Sequence, residues 1–185
     1  NKGCSCAHHA TDEVNKSSKD SNANYKDAYD MYTKAIARRP WSENDYLKRA
    51  SASYDSGNID DADRDLKIVE RRSPKHPRVR FLRGVIEWSR GHVDDAENAL
   101  RDADWGSPND PVTELWLGEI LLFKNQFEQS RALLEKAYSQ LPDWYPLQRA
   151  LIRLEMRQGK FKAAYQYIAR VESVHSNDVE FLYLR

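Results

Sequence analysis

The chain has 185 residues, 29 of them basic and 29 acidic, with no net formal charge. That length accommodates one domain with a real core or a short repeat array. The charge balance removes any overall field that would draw in nucleic acid or an acidic membrane surface. No apolar run approaches the roughly eighteen residues of a spanning helix. Both cysteines, Cys4 and Cys6, fall in the first six residues, so no disulfide framework staples the body of the protein.

Residues 1–22, "NKGCSCAHHATDEVNKSSKDSN", show no apolar period and are rich in Lys, Ser, Asn and Asp, the composition of a flexible polar tail. Cys4, Cys6, His8 and His9 are metal-ligand residue types. Structural zinc sites, however, use ligand pairs separated by a folded loop, so no metal or other cofactor is assigned. Gly3-Cys4-Ser5 ahead of a polar tether resembles the mature start of a bacterial lipoprotein, although Lys2 departs from that pattern. Two compartments follow: a soluble body in the cytoplasm, or one in the bacterial periplasm anchored to the membrane through the tail.

From residue 23 onward the pattern becomes helical. Tyr25, Ala28, Tyr32, Ala35 and Ile36 lead into Pro40 with helical spacing, giving a half unit over 23–42. The chain then keeps a clock. Prolines stand at 40, 74, 108 and 142, and Gly57, Gly91, Asn125 and Gly159 repeat with the same interval of 34, a signature of stacked repeats. Glycine or asparagine at that point can take the left-handed conformation that ends one helix. An apolar anchor follows two residues later (Ile59, Val93, Phe127, Phe161), and then a stripe with helical period: Ala62, Leu66, Val69; Ala96, Leu100, Ala103; Ser130, Leu134, Ala137; Ala164, Ile168, Val171. Asp60-Asp61 and Asp94-Asp95 sit where a helix dipole favours negative charge.

Full units therefore run over 43–76, 77–110, 111–144 and 145–178, and "VEFLYLR" at 179–185 starts a further helix. The first helix of each unit is predicted at 43–56, 77–90, 111–124 and 145–158. At its eighth position stand Ala50, Gly84, Gly118 and Ile152. Three small residues let the paired helices approach closely, and Ile152 predicts a wider or shifted fourth pair.

This order of small residue, glycine, aromatic, alanine, bulky apolar, alanine and proline over 34 residues resembles the tetratricopeptide repeat family. Residues 43–176 match in four consecutive units, with Arg49 and Arg83 standing where the family has leucine. The resemblance implies an all-α, right-handed α-solenoid and a non-enzymatic adaptor that takes a partner peptide or helix in a concave groove. In the family the groove wall is made by the second, fifth, ninth, twelfth and thirteenth positions of the first helices. Carried onto this chain, the partner-binding residues are Tyr54, Phe81, Val85, Trp88, Leu115, Glu119, Leu122, Phe123, Arg149, Arg153 and Arg157, with Val112 on the same wall. Such a groove is apolar in its middle and basic toward the C-terminus, which suits a protein or peptide partner carrying apolar and acidic residues. Some of these apolar side chains are equally suited to the core between repeats.

Leu47 and Ser51 occupy positions where chaperone-tail-binding members of the family carry lysine and asparagine, so that clamp is absent. No nucleophilic triad, phosphate loop or paired-carboxylate motif occurs, and His76, His92 and His175 fall in turns. The alternative to a groove-binding adaptor is an assembly subunit, a homo-oligomer joined through the unpaired helices at the two ends of the array, including a cell-envelope lipoprotein. Nucleic-acid binding through the Arg149, Arg153 and Arg157 face is disfavoured by the zero net charge.

Overall fold

The computed structural model describes residues 25–174. The tail at 1–22 and the further helix expected at 179–185 lie outside the described residues. Everything described is helix or turn: α1 over 25–38, then α2 (Glu43–Asp55), α3 (Ile59–Glu70), α4 (Pro77–Ser89), α5 (Val93–Gly106), α6 (Pro111–Phe123), α7 (Phe127–Gln140), α8 (Tyr145–Arg157) and α9 (Phe161–Val174). The first helix of every unit starts where the 34-residue clock places it and ends one residue sooner. Local chemistry explains the starts. Ser42 and Asp110 accept hydrogen bonds from the backbone N–H of Asp45 and Thr113, and Pro77 and Pro111 open α4 and α6 where a missing N–H costs nothing. The helix-ending turns are left-handed as expected, with φ of 81° at Gly57, 80° at Gly91, 61° at Asn125 and 71° at Gly159.

The chain divides into two compact units, one ending at Pro74 and the other beginning at Lys75. In the first, α2 and α3 pair through buried Leu47, Ala50, Ala62, Leu66 and Val69. Arg49, the first departure from the family pattern, holds Asp65 of α3 with two hydrogen bonds, Nε to Oδ2 at 2.6 Å and Nη2 to Oδ1 at 2.7 Å. Its Nη1 donates to Thr33 of α1 at 3.1 Å, and its guanidinium lies 5.3 Å from the Tyr29 ring centroid and 5.8 Å from that of Tyr46. One arginine thus joins three helices, by a forked ion pair on one side and aromatic faces on the other.

The second unit contains three helix pairs, α4–α5, α6–α7 and α8–α9. Their cores are apolar. One cluster gathers Ala96, Leu100, Leu117 and Ile120, with Phe81, Trp88, Val93 and Trp116 packed on it. The other gathers Leu115, Leu122, Leu134, Leu147, Leu151 and Leu154, with Phe127, Tyr138, Trp144 and Tyr167 around it. Close approach within a pair depends on glycine. A Cβ at Gly84 would lie 2.5 Å from Leu100 Cγ, and one at Gly118 would lie 2.6 Å from Leu134 Cδ2. The serine in the third stripe is accounted for here, because buried Ser130 Oγ donates to the Gly118 carbonyl at 2.7 Å. In α8 the corresponding Ile152 is half-buried.

Neighbouring pairs in this unit are joined by charges. Lys124 reaches Asp94 at 2.8 Å and Glu97 at 2.7 Å. Arg131 holds buried Glu155 at 2.5 Å. The α6–α7 pair has one too, Lys136 to fully buried Glu114 at 2.5 Å.

Candidate functional site: an aromatic cleft on the first helices of the second unit

Successive first helices α4, α6 and α8 present one face to a shared cleft of about 400 Å³. Its walls are Trp88 from α4, Val112, Leu115, Trp116 and Glu119 from α6, and Trp144, Pro146, Arg149 and Arg153 at the start and along α8. The spacing follows from the repeat. Val112, Leu115 and Glu119 hold the second, fifth and ninth positions of α6, and Pro146, Arg149 and Arg153 hold the same positions of α8, so side chains separated by 34 residues stand opposite one another.

Five of the eleven residues chosen from the sequence line this cleft: Trp88, Leu115, Glu119, Arg149 and Arg153. Leu115 is only 7% exposed and forms the floor, continuous with the core beneath. Phe123, exposed at the end of α6, packs edge-on against Trp88 with ring centroids 5.4 Å apart. Val85 and Leu122 are buried side chains; the turn of the helix directs them inward, to the core that the sequence left as their alternative. Phe81 is half-buried against the Leu117 cluster. Arg157 is exposed and donates to Asn125 Oδ1 at 2.7 Å. Tyr54 belongs to the first unit, half-buried on α2.

On α8 itself no acid lies one turn away from Arg149, Arg153 or Arg157. The acid comes from the preceding repeat: Arg153 Nη1 donates to Glu119 Oε2 at 2.9 Å. Burial against the aromatic wall pushes the Glu119 carboxyl above the usual carboxylate range, with Arg153 and Arg149 pulling in the opposite direction. Two arginines and one glutamate line the cleft, leaving one net positive charge.

Trp116, Trp144 and Pro146 were not anticipated. Trp116 is the immediate neighbour of Leu115, and helix rotation brings both to the cleft. Trp144 precedes α8 as its N-cap residue, outside the helix positions to which the family pattern applies. Its place two residues after Pro142 was the available signal.

The described histidines serve local structure. His76 Nδ1 accepts from the Arg78 N–H at 3.2 Å and caps α4, while His92 bonds Glu87 at 2.8 Å. Among the described residues there is no group of three or more His, Cys, Asp or Glu arranged to hold a metal ion. The Cys4, Cys6, His8 and His9 cluster, and His175, lie outside them. No helix among the described residues is long and apolar enough to cross a membrane.

A family model described as tetratricopeptide repeat matches residues 47–111. A search of curated proteins gives no match. Among solved structures, the chain resembles TTC0263, a thermophilic TPR protein of Thermus thermophilus, at 18% identity, with 86% of this chain and 87% of that one covered and a TM-score of 0.73. It also resembles MamA (41-end) of Desulfovibrio magneticus RS-1, at 16% identity over 91% and 97% of the two chains, TM-score 0.67. A third is YrrB, described as a TPR protein with an unusual peptide-binding site, at 12% identity over 88% and 84%, TM-score 0.63. At these identities the likeness is one of fold. The family model shows tetratricopeptide repeats over 47–111, and the solved structures share the all-α helical-repeat fold over most of the chain.

Proposed function

We propose that the protein is a non-enzymatic adaptor whose second unit takes a peptide segment of a partner protein into the cleft formed by α4, α6 and α8. The observation that carries this reading is the composition of that cleft. Three tryptophans and a leucine floor offer apolar surface, and Arg149 and Arg153 stand at its edge. Large rigid aromatics supply contact area at small conformational cost, while edge charges set orientation and association rate. The matching segment carries a bulky apolar side chain and a nearby carboxylate. The fold is one on which a peptide-binding site has been built, that of YrrB.

The test begins with a displayed library of random ten-residue peptides selected on the full chain, followed by fluorescence anisotropy of the recovered sequences. Trp88→Ala should weaken binding at every salt concentration. Arg149→Glu should weaken it and flatten its salt dependence, without removing the Glu119–Arg153 pair. Peptides that bind both folded variants as tightly as the parent overturn the cleft as the binding surface.

Self-association is the second reading. Phe161 and Tyr165, one turn apart on α9, are 68% and 69% exposed, a pairing of large apolar groups that supports a helix-mediated contact between copies. Light scattering over a concentration series decides it: a constant monomer mass removes this reading.

A further inference from the structure

Beside the aromatic cleft lies a second hollow of about 410 Å³, formed by Val112, Gln140, Leu141, Pro142, Asp143 and Trp144. Most of its lining, Gln140 to Trp144, comes from the end of α7 and the turn into α8, with Val112 contributed by α6. The two share a wall. Val112 and Trp144 border both, so the hollows are neighbours across a ridge one or two side chains thick. Leu141, on the far side of that ridge, is 41% exposed, and a half-exposed leucine in a concave, largely apolar setting is available to a ligand side chain.

The charges differ between the sides. The first cleft carries net positive charge from Arg149, Arg153 and Glu119. The second holds one carboxylate, Asp143, which is 3.4 Å from Arg170 and so is balanced locally. An occupant spanning both therefore meets a cation on one side of the ridge and a near-neutral apolar hollow on the other.

We infer that the two hollows form one bipartite peptide site with Trp144 as its central ridge, and that its occupant is an extended partner segment bearing two apolar side chains at alternate positions and a carboxylate beside the one that enters the arginine-edged cleft. In an extended chain, alternate side chains point to the same face and lie about 6.5–7 Å apart, the reach needed to straddle a side-chain ridge. The carboxylate fixes direction, because only the first hollow is lined by arginines. This inference rests on the cleft being a peptide site and extends it past the helix wall onto the α7–α8 turn.

The experiment uses the full chain and the same displayed ten-residue library. Its recovered sequences are expected to share an acidic residue and two apolar residues in alternation. Each recovered peptide is synthesised in two forms, as selected and with the second apolar residue replaced by alanine. Leu141→Asp, a substitution at a half-exposed turn position, should weaken the two-anchor peptide about tenfold or more and leave the one-anchor peptide unchanged. Leu141→Ala should give a smaller loss of the same selectivity, and circular dichroism of both variants checks that the helices persist. Equal effects on the two peptides, or no effect on either, overturn the bipartite site while the cleft reading stands, provided Trp88→Ala still weakens binding. Binding insensitive to Trp88→Ala and Arg149→Glu, or a library that yields no binder, overturns both.

Discussion

The two compact units use different devices to hold helices together. Around α2 the first relies on a polar centre: Arg49, at a position that usually carries leucine, holds Asp65 in a forked ion pair and lies against Tyr29 and Tyr46. The second relies on glycine contacts and leucine clusters, with Leu100 and Leu134 seated on Gly84 and Gly118. The difference shows that a repeat tolerates a charged side chain at a core position when its counterion comes from one neighbouring helix and aromatic faces from another and from its own. Where the core is apolar, the shape of one small residue sets the helix separation.

Truncation in the leucine core should produce the largest effect. Leu100→Ala and Leu134→Ala each remove a fully buried side chain and should cost about 2–5 kcal/mol in urea unfolding. Losses of both below about 0.5 kcal/mol would mean that the stripe is not the packed face. In the first unit, Asp65→Ala leaves Arg49 without its forked partner and should cost about 1.5–3 kcal/mol, read as faster hydrogen exchange across α1–α3. If exchange there is unchanged, the polar centre is ornamental and the contrast between units fails. Gly84→Ala and Gly118→Ala should each destabilise by about 1–3 kcal/mol through overpacking; stabilisation, as expected for an ordinary helix glycine, would show that the pairs can separate freely.

The smallest effect is in the pH dependence, where two glutamates differ in sign. Glu119 is raised by burial, which outweighs Arg153 and Arg149. In the window between the unfolded carboxylate range and that raised value, the native state holds more protons, so its contribution to stability falls as pH rises. Glu97 is also pushed up by burial, but hydrogen bonds from Lys124 and Arg101 prevail and lower it. Its contribution is present above the unfolded range and is lost on acidification. Melting temperatures taken between about pH 4 and 7 should therefore show Glu119→Gln gaining on the parent as pH rises and Glu97→Gln losing ground. Parallel curves for the two variants would contradict the opposed environments.

The helices were almost fully determined by local signals. Prolines, left-handed turn residues and N-caps recur every 34 residues, and each acts over one turn of chain, so sequence order alone places it. Long-range pairing was harder to anticipate. Glu119 looks unremarkable beside its own neighbours and acquires its role only when Arg153 arrives from the next repeat at 2.9 Å. Arg49 stood out as a lapse from the family pattern because its partners Thr33 and Asp65 are each 16 residues away. Within the cleft, helix positions identified Trp88 and Leu115, whereas Trp144 lies just outside a helix, where periodicity carries no information. Val85 and Leu122 share the apolar character of their neighbours, and only the rotation of each helix separates a wall residue from a core one.

The distribution of indole rings has a practical consequence. Of five tryptophans, Trp88, Trp116 and Trp144 border one cleft, while Trp41 and Trp105 are 70% and 89% exposed. The protein therefore contains its own optical probe. A neutral quencher added to the solution should extinguish the two outlying fluorophores first, leaving emission dominated by the cleft. A peptide entering it would then announce itself as a blue shift in unlabelled protein, at concentrations set by the detector and with no dye to perturb the surface being measured.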